Sequence, residues 1–83
     1  MKLLYFAWVR QKVGRSEEVV EAPREATTVG ALVAWLQSRG DGYADAFADL
    51  KRVRVAVNRD HVDFSAAVKA GDEVAFFPPV TGG

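Results

Sequence analysis

TVGALVAWLQSRG, residues 28–40, is the stretch on which the fold turns. Thr28 precedes a run with helical periodicity, and its hydroxyl suits an N-cap, accepting a hydrogen bond from an otherwise unpaired backbone N–H of the first turn. Val29, Leu32, Val33 and Leu36 then recur at i, i+3, i+4 and i+7, which places them on one apolar face of a helix. Gly40 is placed to end it. A chain of 83 residues can build one compact core at most, so every other element has to bury its apolar side against this stripe.

Outward from the helix, the flanking segments read mostly as strands. Leu3 to Val9 is a run of aromatic and aliphatic residues, Lys12 to Arg15 contains Gly14, and Val19 to Glu21 resumes an extended pattern; the reading is a hairpin, broken by Pro23 and the polar stretch to Thr27. Downstream, Tyr43, Ala46, Phe47 and Leu50 give a second, shorter helical pattern, with Asp41, Asp45 and Asp49 on another face. VRVAVN, residues 53–58, alternates Val53, Val55 and Val57 against Arg54, as a half-buried strand should. Asn58 to Asp60 turns the chain, His61 to Phe64 returns, residues 69–73 turn again, and Val74 to Phe77 is the last strand before Pro78 and Pro79 forbid further pairing. The order strand, strand, helix, short helix, strand, short strand, strand predicts an α+β fold of the ubiquitin-like β-grasp kind. It has a mixed sheet packed on one main helix, a short second helix, and the first and last strands as neighbours. The domain is expected over residues 1–77, with an extended tail over 78–83.

Composition excludes much. Hydrophobic residues make up 49% of the chain and charged residues 27%, an ordinary globular balance. Eleven basic residues match eleven acidic ones, so no global field draws in nucleic acid or an anionic membrane. Lys51, Arg52, Arg54 and Arg59 form a local basic segment, which reads as a solvated strand face or a rim against an acidic partner. The absence of cysteine removes disulfides, thiolate zinc sites and a thiol nucleophile together. The apolar run from Leu3 to Val9 is too short to span a bilayer, and no small-residue cleavage site follows Arg10, so the expected location is cytoplasmic. His61 stands alone beside a turn and has no second imidazole with which to hold a metal. No phosphate-cradling glycine motif or serine nucleophile motif is present. Glu17 and Glu18, adjacent on a strand, and the aspartates at 41, 45 and 49 read as solvated carboxylates.

The C-terminal residues carry the remaining chemistry. Gly82 and Gly83 lack a Cβ and make the thinnest peptide that can be threaded into a narrow cleft, while Pro78 and Pro79 fix φ, end the sheet and favour an extended stem. A carboxylate at such a tip is a poor electrophile until another enzyme adenylates it with ATP. A sulfur donor would then leave a thiocarboxylate, and an amine would leave an amide. Either product makes the tail a covalent carrier.

FAWVRQKVG (residues 6–14), VAVN (55–58) and above all GDEVAFFPPVTGG (71–83) resemble, in that order and across nearly the whole chain, the small sulfur-carrier subunits of molybdopterin synthase. The resemblance implies that Gly83 carries the acyl adenylate and then the thiocarboxylate, that Gly82 gives clearance, and that Phe77, Pro78, Pro79, Val80 and Thr81 serve partner binding and tail insertion. It implies no cofactor or metal bound by this chain, with ATP and Mg used by an adenylyltransferase of the ubiquitin-activating type and sulfur supplied by a sulfurtransferase. The charged tail would enter the large synthase subunit, in a heterotetramer with two copies of each subunit, and donate sulfur to cyclic pyranopterin monophosphate. Neighbouring expectations are a carrier for thiamine biosynthesis or tRNA thiolation, and a ubiquitin-like modifier joined through Gly83 to lysines of target proteins.

Overall fold

In the strands, alternate residues are apolar and point one way, and the sheet forms so that this face is buried. The computed structural model describes residues 1–79. Five strands, β1 (Lys2–Tyr5), β2 (Glu17–Val19), β3 (Arg54–Val57), β4 (Asp60–Val62) and β5 (Glu73–Phe77), make one sheet in the order β2-β1-β5-β3-β4. β1 and β5 are parallel, with Leu3 opposite Val74 and Tyr5 opposite Phe76, and the other neighbours are antiparallel. This is the expected β-grasp arrangement, with first and last strands side by side at the centre.

The inner face of the sheet contributes Leu3, Tyr5, Val55, Val74 and Phe76, and α2 (Val29–Gln37) covers it with Val29, Leu32, Val33 and Leu36, all buried. Thr28 caps α2 as its sequence implies, its Oγ1 accepting the Ala31 N–H at 3.1 Å. The helix stops at Gln37, before Gly40. Ser38 turns its hydroxyl back on the Trp35 carbonyl at 2.6 Å, and Gly40, at φ 154°, is instead the N-cap residue of α3 (Asp41–Ala46). The second helix is therefore real but shorter than its apolar spacing suggests. Phe47 closes it, and Leu50 lies in a separate 3-10 turn, Leu50–Arg52, whose start is capped by the Asp49 carboxylate.

The expected first hairpin needs correction. β1 ends at Tyr5, and residues Ala7–Val13 form a helix, α1, that connects it to β2. Ala7 takes φ 52°, which turns the chain out of the sheet, and the Phe6 carbonyl accepts the N–H groups of Val9 and Arg10 to start the helix. Val9 is fully buried on α1 and Val13 packs beside it at i+4, while Arg10, Gln11 and Lys12 stay exposed. Gly14, expected in a hairpin turn, is the left-handed C-cap of this helix at φ 91°, its N–H bonded to the Arg10 carbonyl. β1 and β2 still pair antiparallel, but across a helix.

At the far end of the sheet, Asn58 and Arg59 both take positive φ, 50° and 73°, and make the two-residue turn between β3 and β4. Asn58 ties this turn to the one before β5, donating to Asp72 at 3.1 Å and accepting the Glu73 N–H at 3.0 Å. β4 begins at Asp60 and ends at Val62, earlier than the expected strand from His61 to Phe64; the Phe64 carbonyl is used by the Gly30 N–H at the start of α2.

Candidate functional site

Phe77, Pro78 and Pro79 are the described part of the expected site, and Val80, Thr81, Gly82 and Gly83 lie outside the described residues. β5 is the middle strand, hydrogen-bonded on both sides, so the chain leaves the sheet from its best-held element. Phe76 is fully buried beneath this point, stacked on Tyr5 (centroids 6.1 Å, planes 14° apart) and met edge-on by Phe47 at 4.9 Å. Its carbonyl accepts the Phe6 N–H at 3.1 Å. Pro78 has no N–H to extend the ladder, which ends at Phe77 opposite Arg54.

Alternation puts Phe77 on the outer face, as its position in the strand requires. It is half-buried there, with the exposed His61 ring 5.2 Å away. Leu4 and Ala75, paired across β1 and β5, share that face and are also half-buried, and Phe6 beside the root is 48% exposed. The result is an apolar patch around the base of the tail. His61 sits at the edge of this patch, and among the described residues no group of three or more His, Cys, Asp or Glu side chains is placed to hold a metal ion. Two concavities of the described surface, about 500 and 420 Å³, lie near the start of β1 and around Asn58 and Asp72, and neither is lined by Phe77, Pro78 or Pro79.

Sequence reading missed one buried polar centre. Glu17 is exposed and pairs with Lys2 at 3.4 Å, but Glu18 points inward with its side chain only 6% exposed. Its Oε2 accepts the hydroxyls of Tyr43 at 2.6 Å and Tyr5 at 2.8 Å, and its Oε1 faces Arg39 at 2.9 Å and Arg15 at 3.3 Å. Burial by itself would raise the Glu18 carboxyl, yet the hydrogen bonds from Tyr43, Tyr5 and Arg39 outweigh it and hold the group below the usual carboxylate range. Burial, followed by the same contact with Glu18, pushes the hydroxyls of Tyr5 and Tyr43 up. The cluster fastens β2 to β1 and to the α2–α3 corner, where the Arg39 guanidinium lies over Trp35 and Tyr43 at 5.1 and 4.8 Å. The signal available in sequence was the pair of tyrosines on apolar faces, each of which needs a partner for its hydroxyl.

Comparison with known proteins agrees with this geometry. The model of the ThiS family matches residues 3–83. The chain is 43% identical over 83 residues to the molybdopterin synthase sulfur carrier subunit of Escherichia coli, covering 100% of this chain and 99% of that protein. It is 36% identical, with the same coverage, to the subunit of that name from Haemophilus influenzae. Among solved structures, the putative molybdopterin converting factor subunit 1 of Pyrococcus furiosus superposes with a TM-score of 0.75 at 34% identity, covering 95% of each chain. A β-grasp domain whose central strand ends in a proline pair, matched along nearly its whole length through Gly83, belongs to the ThiS family.

Proposed function

We propose that this chain is the sulfur carrier of a molybdopterin synthase, working through the carboxylate of Gly83. The observation that carries the reading is the root of the tail. A strand paired on both sides and anchored by the buried Phe76 runs into Pro78 and Pro79, which have no N–H to continue the ladder, so the chain leaves the sheet from a fixed base. Full-length similarity to proteins named as such carriers supports the same assignment.

In this reading an adenylyltransferase of the ubiquitin-activating type uses Mg-ATP to join the Gly83 carboxylate to AMP, with pyrophosphate leaving. A persulfide charged by a sulfurtransferase displaces AMP through its outer sulfur to give an acyl disulfide, and a reducing thiol cleaves the S–S bond to leave the thiocarboxylate, which is ionised at neutral pH, soft and nucleophilic. The large synthase subunit receives Val80 to Gly83 in a narrow cleft, Gly82 providing clearance, and the terminal sulfur attacks cyclic pyranopterin monophosphate. Water then releases the acyl group and restores the carboxylate. Phe77 and the half-buried apolar atoms around it form the surface on which partners close. Two carriers and two large subunits make the working heterotetramer.

Intact mass after incubation with the activating enzyme, ATP and a sulfur source tests the first half. One oxygen replaced by sulfur, with the gain abolished by deleting Gly83, is expected. No gain, beside a control carrier that charges in the same mixture, would sink the carrier reading. Product formation with the large subunit and the pyranopterin then separates this destination from a carrier of another pathway.

A further inference from the structure

The basic segment singled out in the sequence is divided by the fold. β3 runs antiparallel to β5 with Arg54 opposite Phe77, so Arg54 and the preceding turn, Leu50–Arg52, stand at the sheet end where the tail begins. Arg59 belongs to the β3–β4 turn at the opposite end, next to Val57, which pairs with Val74. β1 also ends at the tail root, and α1 starts there at Ala7, followed by Trp8, whose ring is covered by the Arg52 guanidinium at 5.3 Å.

Lys51, Arg52 and Arg54 are all exposed, and none is in an ion pair among the described residues. Arg54 is held in place by its own backbone neighbourhood, donating to the carbonyls of Lys51 at 3.2 Å and Val53 at 3.4 Å. The carboxylate nearest in sequence, Asp49, accepts the Lys51 N–H at 3.1 Å and offsets one of the three charges.

Position makes this charge matter. Adjacent strands lie about 4.8 Å apart, so the Arg54 backbone is that close to Phe77. The six residues from Pro78 to Gly83 span at most about 20 Å when extended, and a partner that encloses them as far as Gly83 has to close against the root. Its rim then covers Arg52 and Arg54. Stripping water from these cations without supplying carboxylates is strongly unfavourable, whereas an acidic rim turns the same burial into guided docking.

We propose that Lys51, Arg52 and Arg54 form a basic collar around the tail root that docks on an acidic rim of the tail-receiving protein, the large synthase subunit. The collar rests on the carrier function proposed above and adds to it the charge of the partner's entrance. It selects the orientation in which the tail meets the cleft, and it acts mainly on the rate of encounter.

The test is stopped-flow association of the full-length chain with the large subunit from the same source, between about 50 and 500 mM NaCl. Wild type should associate more slowly as salt rises. The combined Lys51→Glu, Arg52→Glu, Arg54→Glu variant should be slower by about tenfold or more at low salt, with its salt dependence flattened. Arg59→Glu, at the other end of the sheet, should behave as wild type. Because Arg52 covers Trp8, the three-glutamine variant is measured in parallel with a thermal melt, and it should fold as wild type and lose an intermediate share of the rate. A triple variant with the wild-type rate and salt slope, or an equal loss in Arg59→Glu, overturns the collar while leaving the carrier function standing. Wild type that does not bind the large subunit at all overturns both. Tight binding of wild type to a labelled oligothymidylate, lost in the triple variant while subunit association ignores salt, overturns the collar in favour of nucleic acid.

Discussion

Replacing Glu18 with glutamine tests the buried polar centre that the sequence concealed. Glutamine keeps the shape and one acceptor oxygen but removes the charge, and its amide nitrogen, a donor, has to face either Arg39 or a tyrosine hydroxyl. Three contacts carry the energy, from Tyr43 at 2.6 Å, Tyr5 at 2.8 Å and Arg39 at 2.9 Å; Arg15, more than half exposed and 3.3 Å away, adds little. A hydrogen bond to a charged group contributes about 1.5–3 kcal/mol net, so losing or weakening two of the three costs about 3 kcal/mol. In a domain of this size that is a fall in melting temperature of about 12–24 °C. The folded carboxyl sits below its unfolded value, so its contribution is present above the usual carboxylate range and is lost as pH falls through the folded value. Urea unfolding followed by tryptophan fluorescence should therefore show the largest gap between wild type and variant at neutral pH, narrowing in acid. Equal stability at neutral pH would refute the ledger of contacts, and a gap of unchanged size well below the carboxylate range would refute the role of the charge.

Phe76→Ala and Phe77→Ala should separate packing from docking: the first empties a fully buried site and costs about 3–5 kcal/mol in urea unfolding, while the second leaves stability nearly unchanged and weakens large-subunit binding in calorimetry. Unchanged binding by the Phe77 variant would remove that residue from the interface. Gly42→Ala should destabilise by about 1–3 kcal/mol, because a Cβ there would stand 2.5 Å from the Lys12 carbonyl oxygen at the contact of α1 with α3; a melting temperature equal to wild type would show that the two helices separate freely. Gly82→Val should fold normally yet charge or transfer sulfur poorly, and wild-type turnover would show that slenderness is not the reason for glycine at that position.

The parts of the fold legible in sequence were those where one physical signal acted alone. α2 has a cap and an unbroken apolar stripe, and β5 runs straight into a proline pair, so both were read from their residues. α1 was hidden because strand and helix signals compete in residues 3–14. The aromatic run favours extension, while Val9 and Val13 at i+4, charged residues between them and Gly14 beyond favour a helix; tertiary burial of Val9 decided it. Gly40 misled because a glycine that ends one helix also permits the next to begin, and only the packing of Tyr43 and Phe47 on the core fixes which. Glu18 was illegible for a different reason. Its partners Tyr5, Arg39 and Tyr43 are brought to it by three separate elements, and an acidic pair on a strand gives no sign of which member turns inward.

That inward carboxylate also bears on where the chemistry has to occur. Groups that do chemistry are held ready with unused donors, acceptors or shifted protonation near the reacting atoms. Among the described residues no buried side-chain nitrogen or oxygen lacks a partner; Asp72 spends its capacity on Asn58 and the Lys69 N–H, and the shifted groups Tyr5, Glu18 and Tyr43 spend theirs on one another. They reach the tail root only through packing, Tyr5 stacking on Phe76. A domain satisfied in this way gains rigidity and gives up reactivity, which suits the proposed task of presenting a reactive terminus to successive partners. Under that proposal, the polar groups that polarise an acyl adenylate or a pyranopterin come from those partners. Loss of Tyr5 or Glu18 should accordingly lower stability and leave the charging rate per folded molecule unchanged, and a charging defect in a fully folded Tyr5→Phe variant would contradict that division of labour.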